Sequence, residues 1–275
     1  MSKLSIFLII VFIFFVIKLI ILLSRKPSLN RKWSKDQEIL PEINFISDKI
    51  EIKNMRNFSY TSINDYAINY YSQTFDLNNI KNLYFIIEPF SKYDGPAHTM
   101  FSFWFRDGSN IVFSAEIRKK IREPELTPFK WITRKYEIVY MIWNENDFIK
   151  LRANYRKDQV IMYPIKTPQE KIKKLFISML NRADQLSKKP EFYNTITQNC
   201  TTTLLDHVNE LREEKIPWSK EALFPSHSDK IIYDLGLIDT KLSLTEARKY
   251  YQINELSEEF WGDKNYSEKI RKLIK

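Results

Sequence analysis

A run of apolar residues from Leu4 to Leu23, interrupted only by Ser5 and Lys18, sets the first limit on how this chain folds. Roughly 20 apolar residues are what a helix needs to cross the hydrocarbon core of a bilayer. A secretory signal has a shorter apolar core, about 7–15 residues, followed by a small-residue cleavage site. Neither feature is present, so residues 1–24 read as an uncleaved transmembrane anchor, with Lys18 near enough to one end to snorkel. Residues 25–35, basic and containing Pro27, read as a juxtamembrane linker, and residues 36–275 as one folded domain. Arg25, Lys26, Arg31, Lys32 and Lys35 follow the span, and by the positive-inside rule they put that domain in the cytoplasm.

With 44% hydrophobic and 15% aromatic residues, the chain has the means to bury a core and is not disordered. The net charge of +9 invites a nucleic-acid partner. The basic residues are interspersed with acidic ones and no nucleic-acid motif is present; a domain held against an anionic membrane accounts for the charge, so the membrane is the expected partner. Four ungrouped glycines exclude a phosphate-binding loop, and one cysteine excludes both a disulfide and a cysteine-rich zinc site. No cofactor and no metal are expected.

The first half reads as strands: Ile50 to Tyr60, Leu83 to Glu88, Ala97 to Phe105, Ile111 to Arg118 and Tyr136 to Ile142. Thr167-Pro168-Gln169-Glu170 predicts a capping box, with proline at the first helical position, opening an amphipathic helix to about Ser187. A second helix is expected from Cys200 to Glu213 with Asn199 as its N-cap. Lys215 to Ile238 is expected to be loop-rich, and the segment from Leu244 onward helical. The fold class is α+β, an antiparallel sheet with helices packed on it.

Cys200 is where chemistry concentrates. A cysteine in the first turn of a helix meets the positive end of the macrodipole and unpaired backbone N–H groups. Both favour the nucleophilic thiolate, and the same N–H groups suit an oxyanion. The alternative is a buried, inert thiol. Three histidines compete as its base. His207 lies two helical turns from Cys200, about 10 Å along the axis, and reads as a helix-surface or core residue. His227 in Pro225-Ser226-His227-Ser228 ranks second, and His98 first.

Hairpin phase decides for His98. A three-residue loop Asp107 to Ser109 puts the even-numbered residues of both flanking strands on one face. His98 then pairs with Arg118, with Glu116 one diagonal step away and Ser114 on the same face. Glu116 is thereby placed to orient the imidazole, or else to form a salt bridge with Arg118.

Ala97-His98-Thr99-Met100-Phe101-Ser102-Phe103, Ser114-Ala115-Glu116-Ile117-Arg118, Phe192-Tyr193-Asn194-Thr195 and Asn199-Cys200-Thr201-Thr202 together resemble one bacterial family, the Lnb N-terminal periplasmic domain family. The resemblance extends over most of the chain from about Trp33. It implies a periplasmic domain on the bacterial inner membrane, against the charge count, and a permuted papain-like fold of the NlpC or lecithin:retinol acyltransferase kind. It also implies transfer of an acyl chain from a phospholipid donor to the amine of a lipoprotein or similar acceptor, through a thioester on Cys200. A hydrolase of the NlpC type and a non-catalytic envelope protein are the competing expectations.

Overall fold

The computed structural model describes residues 2–90, 95–123, 136–238 and 240–272; the expected domain end at 275 lies outside them. The apolar run forms α1 (Lys3–Leu23), capped by the Ser2 side chain on Ser5 N–H and with no buried residue. Its 21 residues extend about 31 Å at 1.5 Å each, the thickness of a bilayer core.

The domain begins with β1 (Glu42–Ile46) and β2 (Lys49–Arg56), followed by the small pair β3 (Ser59–Tyr60) and β4 (Tyr66–Ala67), then β5 (Tyr70–Asp76). The central strands are β6 (Ile80–Pro89), β7 (Ala97–Phe105), β8 (Asn110–Arg118) and β9 (Glu137–Trp143). Next come α2 (Glu145–Ile149), a π-helical segment Lys150–Arg156 and β10 (Ile161–Ile165). The helices α3 (Gln169–Lys188), α4 (Cys200–Glu210), α5 (Lys220–Leu223), α6 (Ser228–Asp234), α7 (Leu244–Tyr250), α8 (Asn254–Glu259) and α9 (Tyr266–Lys269) complete the described chain. Among the described residues the main sheet has eight strands, ordered β1-β2-β9-β8-β7-β6-β10 with β5 also on β2. Its pairs are antiparallel except β2 with β9, so the mixed α+β class expected from the pattern is present.

Alternation along the central strands splits the core in two. Phe101, Phe103, Phe113, Tyr140 and Ile142 face α3 and α4, while Met100, Val112, Val139, Met141 and Trp143 face α2 and the C-terminal helices. Phe176 of α3 packs edge-on against Phe103, Phe105 and Phe113. Truncating such a fully buried ring to alanine costs about 3–5 kcal/mol.

Several local expectations are corrected. The capping box on α3 does not form: Pro168 has an extended ψ of 143° and is itself the N-cap, so the helix starts one residue later and no side chain caps it. α4 stops at Glu210 rather than Glu213, where Asn209 bonds both Ile216 N–H and its carbonyl and fixes the turn. Lys215 to Ile238 holds α5, a 3-10 turn Pro225–His227 and α6 rather than mainly loop. The strands β1, β5 and β10 were not signalled by strong β-branched runs. Within the linker, Trp33 is buried and bridges to Lys120, so the domain has already begun there.

Candidate active site

The β7–β8 hairpin sets the site. Its loop has three residues as expected, but they are Arg106–Gly108, because Phe105 N–H already bonds Ser109 C=O. Gly108 takes φ +85°, the left-handed position that ends a three-residue hairpin loop, and this places the glycine third rather than second. The register follows as Met100↔Ser114 through Trp104↔Asn110. Carried two residues further, it sets Glu116, not Arg118, opposite His98.

Parity survives this shift, so the even-numbered face still gathers His98, Ser114 and Glu116. Ser114 Oγ lies 2.5 Å from His98 Nε2 and donates to Glu116 Oε1 at 2.8 Å. His98 Nε2 is itself 3.6 Å from Glu116 Oε1. Ser114 thus relays between base and acid. Arg118 is elsewhere: its guanidinium donates to the Gln37 and Glu38 carbonyls and stacks on the Trp33 ring. The alternative Glu116–Arg118 salt bridge is absent for that reason. Glu116 is held instead by Gln37 Nε2 at 3.0 Å and Arg152 Nη2 at 3.4 Å.

Arg152 projects from the π-helical segment, over the Phe148 ring, and also donates to Glu88 Oε2 at 2.6 Å. Glu88 is the β6 partner of His98. One buried guanidinium therefore fixes the carboxylate behind the base and the carboxylate beside it.

Cys200 enters from the other side of the sheet. The Asn199 side chain accepts from Thr202 N–H and Thr202 answers with its own hydroxyl, a reciprocal cap that places Cys200 at the first helical position of α4. The hydrogen-bonded ladder between β7 and β8 ends at Met100↔Ser114, and past that end the helix N-terminus meets the imidazole. The thiol is buried, 3.7 Å from Ala97 C=O, and lies within electrostatic reach of the His98 ring.

Charge follows contact. Burial by itself depresses an imidazole, but the hydrogen bonds and charges of Cys200 and Glu116 outweigh it and raise His98 to about 9. Burial raises the Cys200 thiol, and the His98 hydrogen bond and charge, with help from Thr99, bring it below its ordinary value. Burial likewise opposes ionisation of Glu116, yet His98, Arg152 and Ser114 hold its carboxyl far below the usual range. These shifts all favour a thiolate–imidazolium pair backed by a carboxylate over the neutral thiol and imidazole.

Tyr193 was not singled out as a site residue by its chemistry. Burial together with the nearby Cys200 charge keeps its phenol protonated far above its usual value. A protonated phenol and a helix-terminal N–H beside one sulfur are two donors for a developing oxyanion.

His207 is a core residue, its ring between Tyr140 Oη and Ser178 Oγ at 2.7 Å each. The 3-10 turn bearing His227 is tied to the site's margin through Ser226, whose N–H bonds Gly95 C=O and whose Oγ accepts from Gly95 N–H. Among the described residues no group of three or more His, Cys, Asp or Glu is arranged to hold a metal ion.

Comparison with known protein families matches residues 66–226 to the model described as the Lnb N-terminal periplasmic domain. That span includes His98, Ser114, Glu116, Arg152, Tyr193 and Cys200. No curated protein and no solved structure matches the chain.

Proposed function

The chain belongs to the Lnb N-terminal periplasmic domain family, and from that premise we propose that it is a cysteine-dependent acyltransferase of the bacterial inner membrane. Among the described residues one helix is long and apolar enough to cross a membrane, and its place ahead of a periplasmic domain makes this a single-pass membrane protein with that domain outside the cytoplasm. The count of basic residues after the span pointed the other way; one of them, Arg31, is committed to Glu137 of the folded domain.

The observation that carries the reading is the Cys200–His98–Ser114–Glu116 chain at the N-terminus of α4. In the first half-reaction the Cys200 thiolate attacks the carbonyl carbon of a phospholipid ester. The C–S bond forms, the oxyanion is held by Cys200 N–H and the Tyr193 hydroxyl, and the C–O bond breaks as His98 protonates the leaving alcohol. In the second, an amine such as a lipoprotein N-terminus attacks the thioester, His98 removes its proton, and the thiolate departs. Glu116 and Ser114 hold the ring for both steps. The order of strand-borne histidine before helix-borne cysteine supports a permuted papain-like architecture of the NlpC or lecithin:retinol acyltransferase kind.

Water in place of the amine gives the second reading, an NlpC-type hydrolase. It is favoured by the 14% exposure of the His98 and Glu116 side chains, which lets solvent approach the base.

Incubation of the full chain with phospholipid vesicles tests the proposal. Intact mass should show an acyl adduct that is absent in Cys200→Ala and released faster by an added lipoprotein-like amine. No adduct at any time would remove Cys200 as the nucleophile, while release at one rate with or without amine would select the hydrolase.

A further inference from the structure

An apolar cavity of about 220 Å³ lies between the sheet, α3, α4 and α6. Thr201 lines it at the start of α4, and its Oγ1 is 3.9 Å from the Cys200 sulfur. From there the wall continues along Leu204 and Val208, with Phe85 and Phe101 of the sheet opposite and Ile232 of α6 closing the side. The cavity wall extends along α4 as far as Leu211, ten residues or about 15 Å from Thr201.

We propose that this cavity holds the methylenes of the acyl chain while it is esterified to Cys200, and that its volume sets the chain length the enzyme prefers. The assignment rests on the reading of Cys200 as an acyl carrier. It is favoured by two features together. The space begins at Thr201, next to the nucleophile in α4, and its walls are mainly apolar and offer an alkyl chain dispersion contacts, with Lys166, Lys171 and Arg212 among the polar residues that line it. Taking roughly 30 Å³ per methylene, the share of a water molecule in the liquid, about seven methylenes fill it.

A series of 4-nitrophenyl esters from acetyl to dodecanoyl, turned over by the full chain in detergent, reads this directly. Each buried methylene contributes about 0.8 kcal/mol, so kcat/KM should climb about fourfold per carbon until about octanoyl and then flatten. Val208→Trp should move that break to shorter esters and lower the octanoyl-to-acetyl ratio of kcat/KM at least tenfold. A flat series, or a rise that Val208→Trp leaves in place, overturns the cavity while an acetyl adduct on Cys200 keeps the nucleophile. Absence of an acetyl adduct overturns the nucleophile and the cavity's assignment with it. The wild-type series carries the test should the tryptophan variant fail to fold.

Discussion

Two imidazoles sit close to α4, one partly buried at its N-terminus and one fully buried in its body. His98 is raised to about 9 and His207 is lowered to about 4. Burial pushes both in the same direction, toward the neutral form. What separates them is the company each keeps. His98 lies near a thiol and a carboxylate that profit from its charge, whereas His207 lies between the neutral hydroxyls of Tyr140 and Ser178, and Glu210 and Arg182 act on it in opposite senses. Burial makes an imidazole sensitive to its neighbours, and the neighbours choose its charge.

Substitution should separate the pair most sharply. Cys200→Ser and His98→Ala should each lower turnover per folded molecule at least ~10³-fold, by similar amounts, since members of one catalytic unit do not act additively. His207→Ala should leave turnover per folded molecule near wild type and instead cost about 1–3 kcal/mol of stability, because the buried Tyr140 hydroxyl loses its partner. Thermal melting and ester turnover measured on the same samples check this; an inactive, well-folded His207→Ala would reverse the roles.

Glu116→Gln keeps the shape and removes the charge, and it should cost on the order of 10²-fold in kcat/KM, less than loss of the base itself. Steady-state kinetics at pH 7 decide it, and an effect within twofold would make Glu116 a structural ion partner of Arg152. Ser114→Ala interrupts the relay but leaves the carboxylate, so a loss of about tenfold is expected, the worth of one hydrogen bond to a charged group.

The smallest effect is one of position along the pH axis. Alkylation of Cys200 should persist below the range of an ordinary thiol, because protonated His98 stabilises the thiolate, and should fade only when falling pH protonates the sulfur. In His98→Ala the stabilising charge is gone and only the smaller contribution of Thr99 opposes burial, so the alkylation inflection should move upward. A profile of iodoacetamide reactivity against pH reads both. An unchanged inflection would uncouple the two residues.

Much of this site was legible in the residues. Alternation placed His98, Ser114 and Glu116 on one face, and Asn199 identified the start of the helix that carries Cys200. The register was misread by two positions, since the left-handed requirement at Gly108 outweighed its central place in Asp107-Gly108-Ser109. That error kept parity and so kept the right face, but it promoted Arg118 to a partner it does not have. Arg152 and Gln37 were out of reach because their contacts with Glu116 span 36 and 79 residues and no local pattern encodes them. Tyr193 carried a signal that was not used: an aromatic hydroxyl seven residues before a helix-opening cysteine.

The way the chain leaves α1 limits how far the folded domain can travel. Ser28 N–H and the Arg31 guanidinium are both fastened to Glu137, and Trp33 is buried. The tether between α1 and those anchors is therefore the four residues Ser24 through Pro27, about 14 Å at full stretch, and even within it Lys26 C=O accepts from Arg31. As the proposed acyltransferase, a domain on so short a tether patrols one leaflet and never meets the opposite membrane of the envelope. Its search for substrate is lateral, over a plane, and its rate follows the mole fraction of lipid around it rather than any bulk concentration. Cutting the leash would leave the chemistry of Cys200 untouched and disperse the catalyst from a surface into a volume.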